Sequence, residues 1–179
     1  MTIPSCPRLL SLFAWTTVPF LFFAGSKEAT AAPAPVEEPH GTVTLTYGDE
    51  TVKLEEFREM GTNLLFSAGT VSLSLVTSEG DKLSVGYLAR DGAPETGEFA
   101  PLTPGVEQEK RMIQLSTMGV IGPDPGVRLS AGTVTVSRCD RSGAFVAEFS
   151  GTAKSLNPTV EGETPFSGTI DVKVPVIDR

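Results

Sequence analysis

The sequence predicts an all-β domain, an antiparallel β-sandwich or an open barrel of about eight or nine strands. Apolar and polar residues alternate with a period of two along most of the chain, which is typical of strands with one buried and one solvated face. Clusters of Gly, Pro, Asp and Ser interrupt this alternation at intervals of about eight to twelve residues, as turns of such folds do. No helical pattern longer than two turns appears after residue 32.

The clearest alternation lies in the C-terminal third, residues 132–176, which predicts three strands joined by two turns. Residues 139–143 form the first turn, and a Pro/Gly/Glu-rich loop forms the second. The residues that we expect to face the core are Val134 and Val136, then Phe145, Ala147, Phe149, Gly151 and Ala153, then Phe166, Gly168, Ile170, Val172 and Val174.

The tetrapeptide Phe-Ser-Gly-Thr occurs twice in these strands, at residues 149–152 and 166–169. Repeat folds need about three copies of a unit for stability. We therefore interpret the two copies as matched core aromatics, with glycines where strands bend or approach each other closely.

Shorter strands are predicted in the part of the chain that precedes this region. They cover residues 42–47, 51–54, 64–66, 70–77, 83–87 and 111–118, with a short edge piece at 98–99 and an extended stretch at 127–131. Turn-forming residues lie at 48–50, 78–81 and 122–126. Glu55 to Met60 predicts one helical turn that ends at Gly61, although a single turn is marginal by itself.

Residues 1–31 have the pattern of a secretory signal peptide. Arg8 supplies a positive charge, residues 9–25 are an apolar run, and residues 29–31 form a small-x-small cleavage site. The alternative is an uncleaved membrane anchor. Because the run has 17 residues and contains Pro19, it falls short of the ~20 apolar residues of a spanning helix. We expect cleavage, and no stable membrane insertion after it.

Residues 32–40 are Pro-rich and acidic and predict a disordered leader, so the β domain would occupy residues 41–179. Cleavage after Ala31 leaves 12 basic and 21 acidic residues, a net charge of −9. An acidic domain repels phosphate backbones and anionic lipid heads, which argues against nucleic-acid and peripheral membrane binding. The expected location is secreted or periplasmic.

Several segments together resemble a family of small exported bacterial β-sandwich proteins, often lipoproteins, whose function is uncharacterised. These segments are residues 69–75, 97–99, 132–136 with 139–140, 148–153 and 166–172. The resemblance covers about residues 64–174. It implies a sandwich exposed outside the inner membrane and supplies no site residues. The chain departs from the lipoprotein members because Ser26 stands where they carry an acylated cysteine.

The residue types present restrict the available chemistry. The only histidine, His40, falls in the predicted leader, so a Ser-His-Asp or Cys-His arrangement has no fixed imidazole. Carboxylates are numerous, and we interpret them as solvated side chains, although a carboxylate-based mechanism stays open. They are Glu55, Glu56, Glu59, Asp81, Glu95, Glu98, Glu107, Glu109, Glu148, Glu161 and Glu163.

Metal and cofactor sites are not predicted. One cysteine and one histidine serve zinc, copper and haem poorly, and calcium finds no Asp-x-Asp-x-Asp-Gly loop, with Glu161-Gly-Glu163 a weak substitute. Cys139 is the one cysteine after the signal region. We interpret it as a structural turn residue; the alternative is a free thiol whose pKa is lowered by Arg138 and Arg141.

These observations predict an exported, non-enzymatic binding or interaction module of the cell envelope. Its partner would be a protein or a small-molecule ligand, and no catalytic, cofactor-binding or metal-binding residue is assigned. Two alternatives stay open: a carboxylate-based hydrolase with its site at one end of the sandwich, and a structural subunit of an envelope assembly. Acidic residues gathered in one deep, partly apolar pocket would favour the hydrolase.

Overall fold

The computed structural model describes residues 38–89, 94–102 and 111–179, and these contain eleven strands and no helix. The strands are β1 (His40–Tyr47), β2 (Glu50–Leu54), β3 (Asn63–Ser67), β4 (Thr70–Val76), β5 (Lys82–Leu88), β6 (Gly97–Pro101), β7 (Met112–Met118), β8 (Gly126–Cys139), β9 (Ala144–Ser155), β10 (Thr164–Lys173) and β11 (Val176–Asp178). The all-β prediction is confirmed. The predicted signal peptide and residues 32–37 of the leader lie outside the described residues.

All eleven strands belong to one hydrogen-bonded sheet in the order β11-β3-β4-β5-β7-β6-β8-β9-β10-β1-β2, with a further pairing between β7 and β8. Neighbours are antiparallel except for β11 with β3 and β6 with β7, which are parallel. The predicted hairpins β1–β2, β4–β5 and β8–β9 all form.

The chain connections require this sheet to curl. β10 and β11 are separated by seven strands in the sheet order, more than 30 Å of a flat sheet at about 4.8 Å per strand. Yet only Val174 and Pro175 connect them, a link that reaches at most about 11 Å. The sheet is therefore a half-barrel, with one continuous curled layer instead of the two stacked layers of a sandwich.

The concave face of the half-barrel holds one hydrophobic core. Every second residue of each long strand points into it, as the period-two pattern predicted. The largest fully buried side chains are Phe66, Phe99, Phe145 and Phe166, followed by leucines and isoleucines of β1, β3–β5, β7 and β8. The predicted inward positions that carry side chains in the C-terminal strands are confirmed, whereas Gly151 and Gly168 are only half-buried; Val174 is buried as well, but lies in the link after β10.

The two Phe-Ser-Gly-Thr copies pair with each other across β9 and β10. Phe149 lies opposite Gly168, and Phe166 lies opposite Gly151, with Ser150 and Ser167 paired at the centre. The Phe149 ring uses space left by Gly168, because a Cβ there would meet this ring at 2.8 Å, whereas Gly151 allows the close approach of the Ala131 carbonyl of β8. The two rings are 4.9 Å apart at their centroids. This local two-fold arrangement explains the repeated tetrapeptide as matched core aromatics.

Four details of the predicted strands are wrong. The strand count is eleven, not eight or nine. The predicted edge piece at 98–99 is β6, which lies inside the sheet between β7 and β8. Residues 126–139 form one 14-residue strand, β8, which is bent by irregularities at Leu129/Ala131 and Val136/Arg138. The short strand β11 was not predicted.

The helical turn predicted for residues 55–60 is also absent. Phe57 forms an isolated antiparallel bridge with Thr77, and the backbone N–H of Arg58 donates to the carbonyl of Val76 at 2.8 Å. Because a single helical turn is marginal without tertiary support, these contacts with the end of β4 decide the conformation.

The C-terminal segment closes one end of the half-barrel. The N–H of Val174 donates to the Gly143 carbonyl at 3.0 Å, and the N–H of Leu64 donates to the Pro175 carbonyl at 2.9 Å. Arg141, in the β8–β9 turn, is ion-paired with Asp178 and lies over the Phe66 ring at 5.1 Å from its centroid. The turn in the middle of the sheet is thereby linked to its β3–β11 edge.

Candidate binding groove on the outer face

The convex face of β8, β9, β10 and β1 carries small hydroxyl side chains at the positions that alternate with the core. Two cross-strand rows run over this surface. One row contains Glu98, Thr135, Glu148, Thr169 and Thr44, and the next contains Thr133, Ser150, Ser167 and Thr46. The rows exist because the buried partners Val134, Phe149 and Phe166 fix the phase of each strand.

A groove of about 620 Å³ lies on these rows, between β6 and β10. The residues that line it are Glu98, Thr133, Thr135, Glu148, Phe149, Ser150, Ser167, Gly168 and Thr169. Its centre is the Ser150–Ser167 pair of the two Phe-Ser-Gly-Thr copies. The buried rings of that pair therefore support the floor of the groove, while its serines and Thr169 face outward.

The polar side chains that line this groove make no hydrogen bond or ion pair with other side chains within the described part of the chain. A neighbouring set behaves differently: the Thr152 hydroxyl donates to Glu163 at 2.6 Å, and Lys154 lies 3.1 Å from the same carboxylate. These contacts, the Thr152 hydrogen bond first, lower the pKa of Glu163. The contrast shows that the groove presents hydroxyls and carboxylates whose hydrogen-bonding capacity is open to solvent or ligand.

The charge of the groove is negative. Glu98 and Glu148 are its two ionisable lining residues, and no Lys, Arg or His is among the described residues that line it. An anion would be repelled there. A neutral polyhydroxylated ligand meets donors and acceptors, and a cationic ligand meets acceptors.

A second groove of about 470 Å³ lies on the outer face of β4, β5 and β7 and is mainly apolar. Leu88, Leu102 and Met112 line it, and the missing side chain of Gly86 leaves the space between them. Leu88 is 62% exposed. Thr70, Ser72, Ser84 and Gln114 line it as well, and no charged side chain is among the described residues of its lining.

Of the carboxylates singled out from the sequence, three lie around one pocket and the others are dispersed. Within the described ranges no group of three or more His, Cys, Asp or Glu side chains is arranged to hold a metal ion. Glu55, Glu56 and Asp81 line a polar pocket of about 470 Å³ near Gly119, together with Glu79. The others are distributed as follows: Glu59 and Glu161 are exposed, Glu95 binds Arg111, Glu163 binds Lys154, Glu98 and Glu148 line the groove, and Glu107 and Glu109 lie outside the described residues.

His40 does not belong to the leader, as the sequence had suggested. It is the first residue of β1 and pairs with Lys173 of β10. Its side chain is exposed, and its Nδ1 lies 3.0 Å from the Glu38 carbonyl oxygen. The strand thus begins two residues before its predicted start at Thr42, and one residue before the predicted start of the domain at residue 41.

Cys139 is a buried residue at the end of β8, 6% exposed, and its neighbours explain its properties. Burial raises the pKa of the Cys139 thiol, and the hydrogen bond with the Tyr87 hydroxyl acts in the opposite direction. The flanking arginines are engaged elsewhere, Arg138 with Asp140 and Arg141 with Asp178. The alternative of a thiol with a lowered pKa is therefore wrong, and a structural role is favoured.

Sequence reasoning did not identify the groove. Its serines and threonines appeared only as the solvated positions of predicted strands, and Glu98 and Glu148 appeared only as two carboxylates among many. The available signal was the outward phase of Thr133 and Thr135 together with the serines of the repeated tetrapeptide. Which of these positions become neighbours depends on strand order and register, which alternation alone does not specify.

No family model matches the chain, and no match was found among curated proteins or solved structures. The resemblance to small exported bacterial β-sandwich proteins therefore stays a prediction. In the three described ranges, no helix has the length and apolar character needed to cross a membrane.

Proposed function

We propose that this chain is an exported, non-enzymatic binding module of the cell envelope that holds its ligand on the outer face of the half-barrel. The observation that carries the proposal is the groove over β6, β8, β9 and β10, whose hydroxyl and carboxylate side chains have no partners within the described protein. An ordinary solvated sheet face does not need such a depression. A depression lined with free donors and acceptors is suited to recognition.

The non-enzymatic character is supported by the openness of this surface. A carboxylate that acts as general acid or base at neutral pH commonly has a pKa shifted by burial in a cleft that excludes water. Glu98 and Glu148 are both exposed side chains. A binding role requires only that they accept hydrogen bonds.

Export is supported by the signal pattern of residues 1–31, followed by the acidic, Pro-rich residues 32–39. In this proposal, residues 1–31 are removed, and residues 32–39 join the cleavage site to the half-barrel. The absence of an acylated cysteine near Ser26 favours a module that is not lipid-anchored.

The test of export is fractionation of cells that express the full chain, followed by an intact-mass measurement. We expect the periplasmic or secreted protein to lack residues 1–31. Trp15 is the only tryptophan, so the mature protein should show tyrosine fluorescence alone. An exported protein that retains Met1 and Trp15 would contradict cleavage, and a protein found only in the cytoplasm would contradict export.

The two competing functions make different demands on the same mature protein. A hydrolase would turn over glycosides or esters at a rate that falls in Glu98→Gln and Glu148→Gln variants, whereas the binding module should show no turnover above the buffer rate.

A structural subunit would elute from a mild envelope extract in a large complex. We expect the module to elute near its own monomer mass.

A further inference from the structure

We propose that the groove on β6, β8, β9 and β10 binds an oligosaccharide that contains protonated amino sugars. This inference rests on the proposed binding function and names the ligand class of the same groove. Two observations carry it: the two rows of hydroxyls, and the two carboxylates that have no cationic partner among the described residues.

The hydroxyl rows match the chemistry of a sugar surface. Thr133, Ser150 and Ser167 form one row, and each hydroxyl both donates and accepts hydrogen bonds. A pyranose presents hydroxyl groups of the same dual character. Neighbouring strands are about 4.8 Å apart, which is close to the length of one pyranose unit, so that successive units lying across the strands meet successive side chains.

The carboxylates determine the charge of the ligand. Glu98 and Glu148 lie in one row, separated by Thr135 of the intervening strand, which places their backbones about 10 Å apart. Two ammonium groups on an oligosaccharide of amino sugars can each reach one carboxylate. An ammonium group brings a positive charge and three donors to a carboxylate, whereas the N-acetyl group offers one neutral amide N–H, so the ammonium form should be preferred over its N-acetylated counterpart.

Stacking does not contribute on this face. All eight aromatic residues of the described ranges either belong to the hydrophobic core or pack against it. Recognition must therefore depend on hydrogen bonds and charge. Its affinity should fall as salt concentration rises, because exposed charges are screened.

The experiment is a titration of the ¹⁵N-labelled mature protein with two probes, the β-1,4-linked glucosamine hexamer and the N-acetylglucosamine hexamer, at pH 6. We expect the glucosamine hexamer to shift amide resonances of residues that line the groove, and to bind about two- to fivefold more tightly than the acetylated hexamer for each exposed carboxylate that it pairs with. Glu98→Gln and Glu148→Gln should each weaken binding by about two- to fivefold, and Thr169→Val should weaken it less.

The matched control is Glu79→Gln, which removes one negative charge from an exposed position in the β4–β5 turn. It should leave the affinity unchanged. Equal loss in Glu79→Gln and Glu148→Gln would overturn the proposal, because it would mean attraction by net charge alone. Resonance shifts confined to other surfaces, or equal affinity for both hexamers, would overturn it as well.

The outcome separates this inference from the proposed function. If the mature protein is exported and lacks hydrolase activity, but neither hexamer binds, the saccharide inference fails while the binding module stands. If residues 1–31 are retained or turnover is found, the proposed function fails, whatever the titration shows. Thermal unfolding of each variant verifies that the substitutions leave the fold intact.

Discussion

Cys139 and Tyr87 are buried polar side chains of the hydrophobic core and interact with each other. The Tyr87 hydroxyl donates to the Glu95 carbonyl at 3.1 Å and accepts from the Glu95 N–H at 3.3 Å. Burial is the main cause that raises the pKa of both Tyr87 and Cys139. These two side chains are therefore neutral in the folded protein over a wider pH range than in the unfolded chain.

This difference predicts how stability depends on alkaline pH. The folded-state pKa of each group lies above its unfolded value, so each group's contribution is fully present below the unfolded pKa and is lost as pH rises toward the folded pKa. For Cys139 the loss begins near pH 8.5, and for Tyr87 near pH 10. Urea unfolding of the protein from pH 7 to 10.5 should show both, and Cys139→Ala should remove the part that begins near pH 8.5. Identical pH profiles for the two proteins would contradict the pKa shift of the thiol.

In the β9–β10 pair, the alternation of the sequence corresponds directly to the alternation of buried and outward side chains. Phe149 and Phe166 are 4% and 1% exposed, and each ring lies against the strand that carries the other. The residues next to them in sequence, Ser150 and Ser167, face the groove. One pair of strands thus builds part of the core on one side and part of the candidate site on the other.

Replacement of these rings tests that assignment. Phe149→Ala and Phe166→Ala should each lower the free energy of unfolding by about 3–5 kcal/mol, a large part of the ~5–15 kcal/mol of a typical domain. Ser150→Ala and Thr169→Ala, at outward positions of the same strands, should change it by about 0.5 kcal/mol or less. Chemical denaturation of the four variants gives the values; equal effects at inward and outward positions would refute the assignment.

The strands most accurately predicted were those in which alternation coincided with local turn signals. Phe145 to Ala153 and Leu83 to Tyr87 were assigned to the correct faces. β6 and β11 were misjudged because each is short and depends on non-local pairing, β6 with β7 and β8, and β11 with β3. The candidate groove was not predictable for the same reason, since Glu98 and Thr135 become neighbours only through the β6–β8 register.

The closure of the half-barrel at one end depends on the close approach of the C-terminal segment to the β8–β9 turn. Gly143 has φ = +90°, and a Cβ at this position would overlap the Val174 carbonyl oxygen. The hydrogen bond between Val174 and Gly143 needs this close approach. Gly143, in the β8–β9 turn, is therefore in direct backbone contact with the segment that links β10 to β11.

A pair of glycine substitutions isolates the contribution of that close approach. Gly69 has a similar φ of +81° but nothing within 4 Å of its Cβ position. Gly69→Ala should therefore cost only the left-handed backbone penalty of about 1–2 kcal/mol. Gly143→Ala should cost about 1–3 kcal/mol more, because the Val174 backbone must shift. Thermal unfolding of both variants measures the difference; equal losses would mean that the C-terminal segment is not close-packed against the turn.

The late position of β11 in the sequence has a consequence for the order of folding. β3 acquires its second neighbour only when residues 176–178 are available, and β1 acquires β10 only when residues 164–173 are available. Contacts between such distant parts of the chain are characteristic of domains that fold slowly, in milliseconds to seconds. A nascent chain that has not yet reached residue 178 cannot complete the half-barrel. It should therefore stay incompletely folded, and an incompletely folded polypeptide is the form that passes through a narrow translocation channel.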